Sequence, residues 1–259
     1  MQILKRFIFG IFLFCCNLTS AQSDSINNVN NFNVDAIGNV FVLKGTEILK
    51  LNSKGVLLLK DSRKDLGTPT IIDSRDPLRL LVLYKDFAMI RILDNQLSEQ
   101  SIISLRDLGF VDPKLICGTV DNGIWVFDKT VNRLSRVDVK AQKESISLDL
   151  NQLLGRPIPA TQMEQSQRWV VLLAGKDVLV FDQYGTYLKT ITLDVEPVIF
   201  QLEEDMLLAG KEDNFKVYSL TKSLMSTSKI LHLPSDCTKA LLREEKLWIL
   251  KNNTLLFPE

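Results

Sequence analysis

Residues 39–55 read Asn-Val-Phe-Val-Leu-Lys-Gly-Thr-Glu-Ile-Leu-Lys-Leu-Asn-Ser-Lys-Gly, and this stretch shows the repeating unit of the chain most clearly. An apolar run at 40–43 is followed by a short Lys-Gly turn and then by a second apolar run at 48–51. Two such runs joined by a tight turn predict a β-hairpin. The rest of the chain consists of imperfect copies of this unit.

The copies recur about every forty residues, which is the spacing of propeller repeats. The first run of each unit falls at 40–43, 80–83, 124–127, 170–173, 206–208 and 247–250. The second run falls at 48–51, 89–93, 134–139, 178–181, 215–220 and 255–257. Several strands per repeat at a fixed period predict the blades of a β-propeller, because a single unit could not bury both of its faces.

Two further strands per unit complete the predicted blades. The inner strands are predicted at 32–37, 70–72, 115–119, 160–163, 198–202 and 237–242, and the outer strands at 56–59, 101–105, 145–150, 188–193 and 229–233. The sixth unit has no outer strand of its own, so residues 25–30 are predicted to supply it and to close the ring. An unclosed ring would leave a bare strand edge, which promotes aggregation. No stretch shows sustained helical periodicity with caps, so the chain is predicted to be all-β.

One motif suggests a family. The turn Asp35-Ala-Ile-Gly38-Asn39 leads into the first apolar run, and Asn52-Ser-Lys-Gly55 closes the hairpin, with partial echoes at residues 121–123 and 182–185. This pattern resembles the NHL-type repeat of six-bladed β-propellers. The resemblance implies a six-bladed propeller of four-stranded antiparallel blades that forms a single domain over residues 22–259. Five or seven blades are the alternatives, because the fourth and sixth units are weaker copies. NHL-like propellers include enzymes, sensors and scaffolds, so the likeness implies the fold and not an activity.

The N-terminal segment predicts export. Lys5 and Arg6 precede an apolar run at 7–16, and small residues end at Ala21. This is the pattern of a signal peptide over residues 1–21 that is cleaved after Ala21. The apolar run is too short to span a membrane. The Ser-Ala-Gln junction resembles exported proteins of Bacteroidetes, so a periplasmic or extracellular location is predicted.

Lipid attachment is the alternative at this terminus. Cys15 and Cys16 end the apolar run, but bulky Phe14 precedes the first of them and Cys15 precedes the second. A lipidation signal has a small residue at that position, so soluble export is the favoured interpretation.

The composition is that of an ordinary soluble globular chain. Apolar residues make up 46% and charged residues 24%, with 31 basic against 31 acidic side chains. After removal of residues 1–21, 29 basic and 31 acidic side chains remain. This balance does not favour a nucleic-acid partner. A monomer without a transmembrane segment in the mature chain is expected.

A lysine recurs in the turn between the second and third strands of every predicted unit. The six residues are Lys44, Lys85, Lys129, Lys176, Lys211 and Lys251. In a propeller these turns share one face, so their ammonium groups would surround one mouth and attract an acidic partner. Five further cations lie in or beside the loops of the same face, namely Arg63, Lys64, Arg106, Lys114 and Arg156. The alternative interpretation is that lysine is a common solvated turn residue whose field is cancelled by neighbouring carboxylates.

The sequence gives little support for catalysis. His232 is the only histidine, so neither a histidine-based triad nor a multi-histidine metal site can be assembled. We therefore expect no catalytic residues, metal ligands or cofactor. The chain is interpreted as a non-catalytic scaffold that binds a protein partner or an envelope component. The alternative is a lactonase-like enzyme or sensor with a divalent cation in the channel, for which the inner strands offer Asn33, Asp35, Asp73 and Glu164.

Two cysteines follow the predicted cleavage site. Cys117 and Cys237 fall on inner strands of the third and sixth units, which would face each other across a six-fold ring. A disulfide requires α-carbons within about 7 Å, so two free, buried thiols are predicted. Trp125, Trp169 and Trp248 are predicted to pack between blades.

Overall fold

The chain folds into a nearly all-β structure. The computed structural model describes residues 25–138, 140, 142–221 and 232–258, with the backbone alone for residues 143–146. The predicted signal peptide and part of the predicted outer strand at 229–233 lie outside these ranges.

The described strands fall into six successive groups of antiparallel hairpins. The N-terminal strand is β1 (Ser25–Asn27). Group 1 contains β2 (Asn31–Val34), β3 (Val40–Lys44), β4 (Glu47–Leu51) and β5 (Leu57–Ser62). Group 2 contains β6 (Ile71–Asp73), β7 (Leu80–Tyr84), β8 (Met89–Leu93) and β9 (Glu99–Ser104). Group 3 contains β10 (Pro113–Gly118), β11 (Ile124–Asp128), β12 (Arg133–Val137) and β13 (Lys143–Ile146). Group 4 contains β14 (Gln162–Gln165), β15 (Trp169–Ala174), β16 (Asp177–Asp182) and β17 (Tyr187–Thr192). Group 5 contains β18 (Ile199–Glu203), β19 (Met206–Lys211) and β20 (Asn214–Ser219), and group 6 contains β21 (Cys237–Arg243), β22 (Lys246–Lys251) and β23 (Thr254–Leu256).

Groups 1 to 4 are separate four-stranded sheets, whereas groups 5 and 6 join in one seven-stranded sheet. The junction is a single parallel pairing of Ile199 in β18 with Ala240 in β21. Strand β1 forms the edge of group 6, where Ile26 pairs with Leu255 of β23. The predicted pairing of the N-terminal strand with the sixth unit is therefore observed.

The first strands of the groups lie side by side in chain order. Strand β2 contacts β6, β6 contacts β10, β10 contacts β14, β14 contacts β18, and β18 contacts β21. Strand β21 in turn contacts β2. The first strands are thus the innermost elements, and the polar side chains that they carry lie close together.

Apolar clusters fill the spaces between neighbouring groups. One cluster joins groups 3 and 4 around the fully buried Trp125 and Phe181. Another joins groups 6 and 1 around Trp248 and Phe32. Trp169 is only partly buried, yet it packs against the cluster between groups 4 and 5. The predicted role of the three tryptophans in packing between blades is therefore observed.

The turn before the outer strand is built in the same way in groups 1 to 4. In group 1 the side chain of Asn52 accepts hydrogen bonds from the backbone N–H groups of Lys54 and Val56. Aspartates take this position in the other three groups, namely Asp94, Asp138 and Asp182. Asn and Asp favour such turns because their short side chains bond the backbone two residues on.

Two predicted features of the chain are corrected by the structure. A short helix, α1 (Leu150–Leu154), follows β13 where the outer strand was expected to continue to residue 150. Asp149 caps it by accepting bonds from the N–H groups of Asn151 and Gln152, and Gly155 ends it in the left-handed region. Five residues are too few to show helical periodicity. In group 4 the inner strand spans Gln162–Gln165 rather than 160–163.

Gly185 makes a close contact between two groups and allows a test of their packing. Its φ is +83°, and a Cβ there would lie 2.9 Å from Cη2 of Trp125. Gly175 also has positive φ, but nothing lies within 4 Å of its Cβ position.

We expect Gly185→Ala to lower the free energy of unfolding by about 2–4 kcal/mol, from left-handed strain plus overpacking. The matched Gly175→Ala should cost only about 1 kcal/mol of strain. Denaturant unfolding followed by tryptophan fluorescence measures both, and equal losses would contradict the proposed contact.

Candidate functional site

A cavity of about 600 Å³ lies among the first strands and is lined by both polar and apolar side chains. Its polar lining residues include Asn33, Arg75, Gln162, Glu164, Gln201, Lys239 and Arg243. These residues lie on, or just after, β2, β6, β14, β18 and β21. A polar cavity of this size that contains titratable groups is the natural candidate site.

Neutral side chains link neighbouring first strands to one another. The amide of Asn33 donates to the carbonyl of Ile72 at 3.1 Å and so joins β2 to β6. Gln201 of β18 donates to the carbonyl of Leu242 at 3.1 Å and accepts from its N–H at 2.8 Å, which joins β18 to β21. These bonds satisfy backbone groups that a continuous sheet would otherwise pair.

A charged cluster lies on one side of the cavity. Arg75 contacts Asp73 at 2.5 Å, and its Nη1 lies 3.6 Å from Oε2 of Glu164. Asp73 also accepts from the N–H of Gly118 at 2.7 Å. Burial raises the pKa of Asp73, but the charge of Arg75 and the hydrogen bonds from Arg75 and from the N–H of Gly118 together outweigh burial, so the pKa is lowered. Burial raises the pKa of Glu164, which Arg75 offsets only in part.

Lys239 lies on the side of the cavity formed by β21. Its Nζ donates to the side-chain oxygen of Asn31 at 2.8 Å and to the carbonyl of Phe32 at 2.7 Å. It also stands 5.2 Å from the centre of the Phe32 ring. Burial lowers the pKa of Lys239 to about 8, against the opposing effect of Glu164 and Asp73. The cavity therefore holds an acid and a base whose pKa values are both displaced toward neutrality.

Both predicted thiols are free and buried, as expected from the strand assignments. Burial raises the pKa of Cys117 to about 12, although the nearby Arg75 lowers it. Burial also raises the pKa of Cys237. Neither thiol is activated as a nucleophile.

The six predicted lysines all lie at the turn between the second and third strands of their groups, in different surroundings. Three make contacts with acceptors: Lys176 donates to the carbonyl of Asp194 at 2.8 Å, Lys211 lies 3.9 Å from Glu212, and Lys251 lies 3.8 Å from Asp236. Lys44, Lys85 and Lys129 form no side-chain hydrogen bond or ion pair with any residue in the described ranges.

Lys114 of β10 adds a cation to this set. Its pKa is lowered first by burial and then by the charges of Lys129 and Lys85. Lysines from groups 2 and 3 therefore lie close enough to repel one another.

The three predicted arginines also differ in whether they form ion pairs. Arg63 is held by Asp65 at 2.9 Å and by Glu99 at 2.7 Å, within a network that also contains the buried Arg91. Arg156 forms an ion pair with Asp177. Arg106 is exposed and has no ion pair among the residues described.

The acidic and amide residues that were considered for a channel cation are not gathered at one point. Glu164 and Asn33 line the cavity, but Asp73 is bonded to Arg75. Asp35 is buried in a turn, where it accepts from the N–H groups of Ile37 and Asn39, so its expected place in the channel is wrong. Over the described ranges, no three His, Cys, Asp or Glu side chains are grouped to hold a metal ion. His232 is exposed and contacts Asp213 at 2.5 Å.

The cations of the cavity were missed by the sequence reasoning. Arg75 follows β6, while Lys239 and Arg243 lie on β21. A signal for them was present, because polar residues two or four positions apart recur on the inner strands. Such pairs are Asn31 with Asn33, Gln162 with Glu164, and Lys239 with Arg243, and residues at this spacing face the same side of a strand.

Comparison with known proteins supports the fold alone. No protein-family model matches the sequence, and no curated protein matches it either. Among solved structures, a streptogramin B lyase superposes with a TM-score of 0.62 at 12% identity, covering 90% of this chain and 84% of that one. The structure of BBS1N in complex with ARL6DN gives 0.62 at 15% identity, covering 90% and 79%. The Pan2 WD40 domain of Neurospora crassa gives 0.58 at 9% identity, covering 89% and 77%. These neighbours establish a β-propeller-like fold.

Among the described residues, no helix has the length and apolarity needed to cross a membrane.

The lowered pKa of Lys239 predicts a pH-dependent stability. The folded state releases this proton near pH 8 and the unfolded state near its ordinary value of 10.5, so the unfolded state binds more protons between them. Stability contributed through Lys239 therefore rises with pH across that window. Lys239→Met removes the titration, so its free energy of unfolding relative to the parent should fall by about 1–3 kcal/mol between pH 7 and pH 10.5.

Denaturant unfolding at several pH values measures this difference. The exposed Lys54→Met is the control, and its difference from the parent should stay flat through the same window. A flat profile for Lys239→Met would contradict the burial of a charged ammonium group at this position.

Proposed function

We propose that this protein is an exported, non-catalytic β-propeller that binds an acidic protein or envelope component through the face bearing the lysine turns. The chain acts as a monomeric scaffold in the periplasm or outside the cell after cleavage at Ala21. The observation that carries the proposal is that Lys44, Lys85 and Lys129 on that face have no ion-pair partner among the residues that the structure describes.

The proposed architecture is a closed ring of six blades of NHL type. The cyclic order of contacts between the first strands supports six blades, because β21 contacts β2 as well as β18. The pairing of β1 with β23 supports closure by the N-terminal strand. In such a ring the turns between second and third strands all lie on one face.

Electrostatics favours binding of an anionic partner on this face. Lys44, Lys85 and Lys129 make no ion pair within the described part of the chain. The pKa of Lys114 is lowered mainly by burial and further by the charges of Lys129 and Lys85. Mutual repulsion of this kind is relieved when carboxylates of a partner approach. The paired Arg63 and Arg156 contribute less, because their charges are already matched by Asp65, Glu99 and Asp177.

The cavity favours a binding role over catalysis with a divalent cation. Among the acidic residues considered as cation ligands, Glu164 lines the cavity. Burial raises its pKa, and the positive charges of Arg75, Lys239 and Arg243 oppose that effect. At Glu164 these three positive side chains would repel a divalent cation.

A capture experiment with tagged mature protein tests the proposal. The variant with all six turn lysines changed to glutamine should lose at least tenfold in affinity for a partner captured from envelope extract, because the attraction is mainly electrostatic. Binding of the parent should also weaken as salt is added.

Two matched triple variants locate the surface. Lys44, Lys85 and Lys129 changed to glutamine should reproduce most of the loss. Lys54, Lys140 and Lys246, which are exposed at the opposite ends of the strands, should retain binding when changed in the same way. Equal losses in both triples, or no partner for the parent, would contradict the proposed surface.

A further inference from the structure

The end of the cavity away from the lysine turns contains buried polar atoms without partners. A second cavity of about 560 Å³ adjoins the first there and shares Arg75 and Arg243 with it. Three atoms of its lining are buried and have no hydrogen-bond partner in the described residues, namely Nε of Arg243, Oε1 of Gln165 and Oγ of Ser166. A buried polar group without a partner destabilises the fold, so binding of a molecule that satisfies these groups would be favoured.

The charges at this end are also incompletely matched. Arg243 forms no ion pair within the described ranges, and Lys239 is bonded only to neutral oxygens. Glu164 lines the same cavity, and in the described part of the chain its one ion pair is the 3.6 Å contact with Arg75. The guanidinium of Arg243, which has no ion pair in the described residues, therefore lies near the carboxyl group of Glu164. Two oxygen atoms that can accept hydrogen bonds, Oε1 of Gln165 and Oγ of Ser166, belong to the same lining.

We propose that this end of the channel binds a small amino- or hydroxy-carboxylate. The carboxylate of the ligand pairs with the guanidinium of Arg243, whose planar donors match its two oxygens. The amine or hydroxyl group donates to Oε1 of Gln165, to Oγ of Ser166 or to Glu164. Both cavities have volumes in the range of small-molecule sites.

A monocarboxylate fits this lining better than phosphate does. Glu164 lines the first cavity, Glu203 lines both, and Glu204 and Asp205 line the second, where Arg168 pairs with Asp205. A dianion would meet stronger repulsion from these carboxylates than a single carboxylate would. Neutral acceptors beside the guanidinium also require a ligand that carries a donor group, which inorganic phosphate offers less readily at neutral pH. The site is independent of the proposed lysine surface, because it lies at the other ends of the strands.

Titration of the mature protein with a defined set of probes tests the site. The probes are glycine, L-alanine, L-glutamate, L-lactate and inorganic phosphate, each followed by calorimetry and by the NMR signal of the Arg243 Nε–H group. At least one carboxylate should bind with a dissociation constant of about 1 mM or tighter, and should shift that signal. Binding should be retained in the variant that lacks all six turn lysines.

Variants separate loss of the site from loss of the fold. Arg243→Gln should weaken carboxylate binding at least tenfold, and the milder Ser166→Ala should weaken it a few fold. Arg106→Gln removes the same charge at an exposed position near the lysine turns and should bind like the parent. Failure of every carboxylate to bind, or binding unchanged in Arg243→Gln, would overturn the proposal. Tighter binding of phosphate than of any carboxylate would overturn the assigned ligand class.

Discussion

The structure depends on hydrogen bonds from side chains of one first strand to the backbone of the next. These bonds are needed because neighbouring first strands do not pair with each other along their backbones. Groups 5 and 6 share a single backbone pairing, Ile199 with Ala240, and the other described groups are separate sheets. Polar side chains therefore supply the missing bonds: Asn33 reaches Ile72, Gln201 reaches Leu242, and Lys239 reaches Phe32. A purely apolar inner surface would leave these backbone groups unsatisfied. The polar cavity is a direct consequence of this requirement.

Away from the first strands, the groups are held together by a different kind of contact. Apolar clusters between neighbouring groups bury large side chains such as Trp125 and Trp248, and repeated Asn or Asp turns fix the hairpins. Each hairpin depends mostly on its own sequence, while each cluster requires two groups. This division explains why imperfect copies of one unit can build the fold, since the turn and the apolar alternation are retained where most other residues vary.

The two ends of the strands have different chemistry. One end carries lysines of which those in groups 1 to 3 have no ion-pair partners in the described residues. The other end contains the buried but unbonded atoms of Arg243, Gln165 and Ser166. The first arrangement suits the flat, acidic surface of a macromolecule, because exposed ammonium groups act through long-range attraction. The second suits a small molecule, because buried donors and acceptors require close and directional contacts. A rigid fold can hold both without conflict.

Features that depend on residues close together in the chain could be predicted from the sequence. Apolar runs about forty residues apart located the hairpins, the lysine turns followed from them, and assigning Cys117 and Cys237 to separate inner strands correctly predicted free thiols. Short local features were missed or misplaced: α1 is too short to show periodicity, and Asp35 bonds its own turn instead of facing the channel. Only the tertiary structure decided the composition of the cavity. Arg75, Glu164 and Lys239 are far apart in the chain and meet because packing of the groups places their strands around one space. Their displaced pKa values arise from that shared burial, which no local pattern encodes.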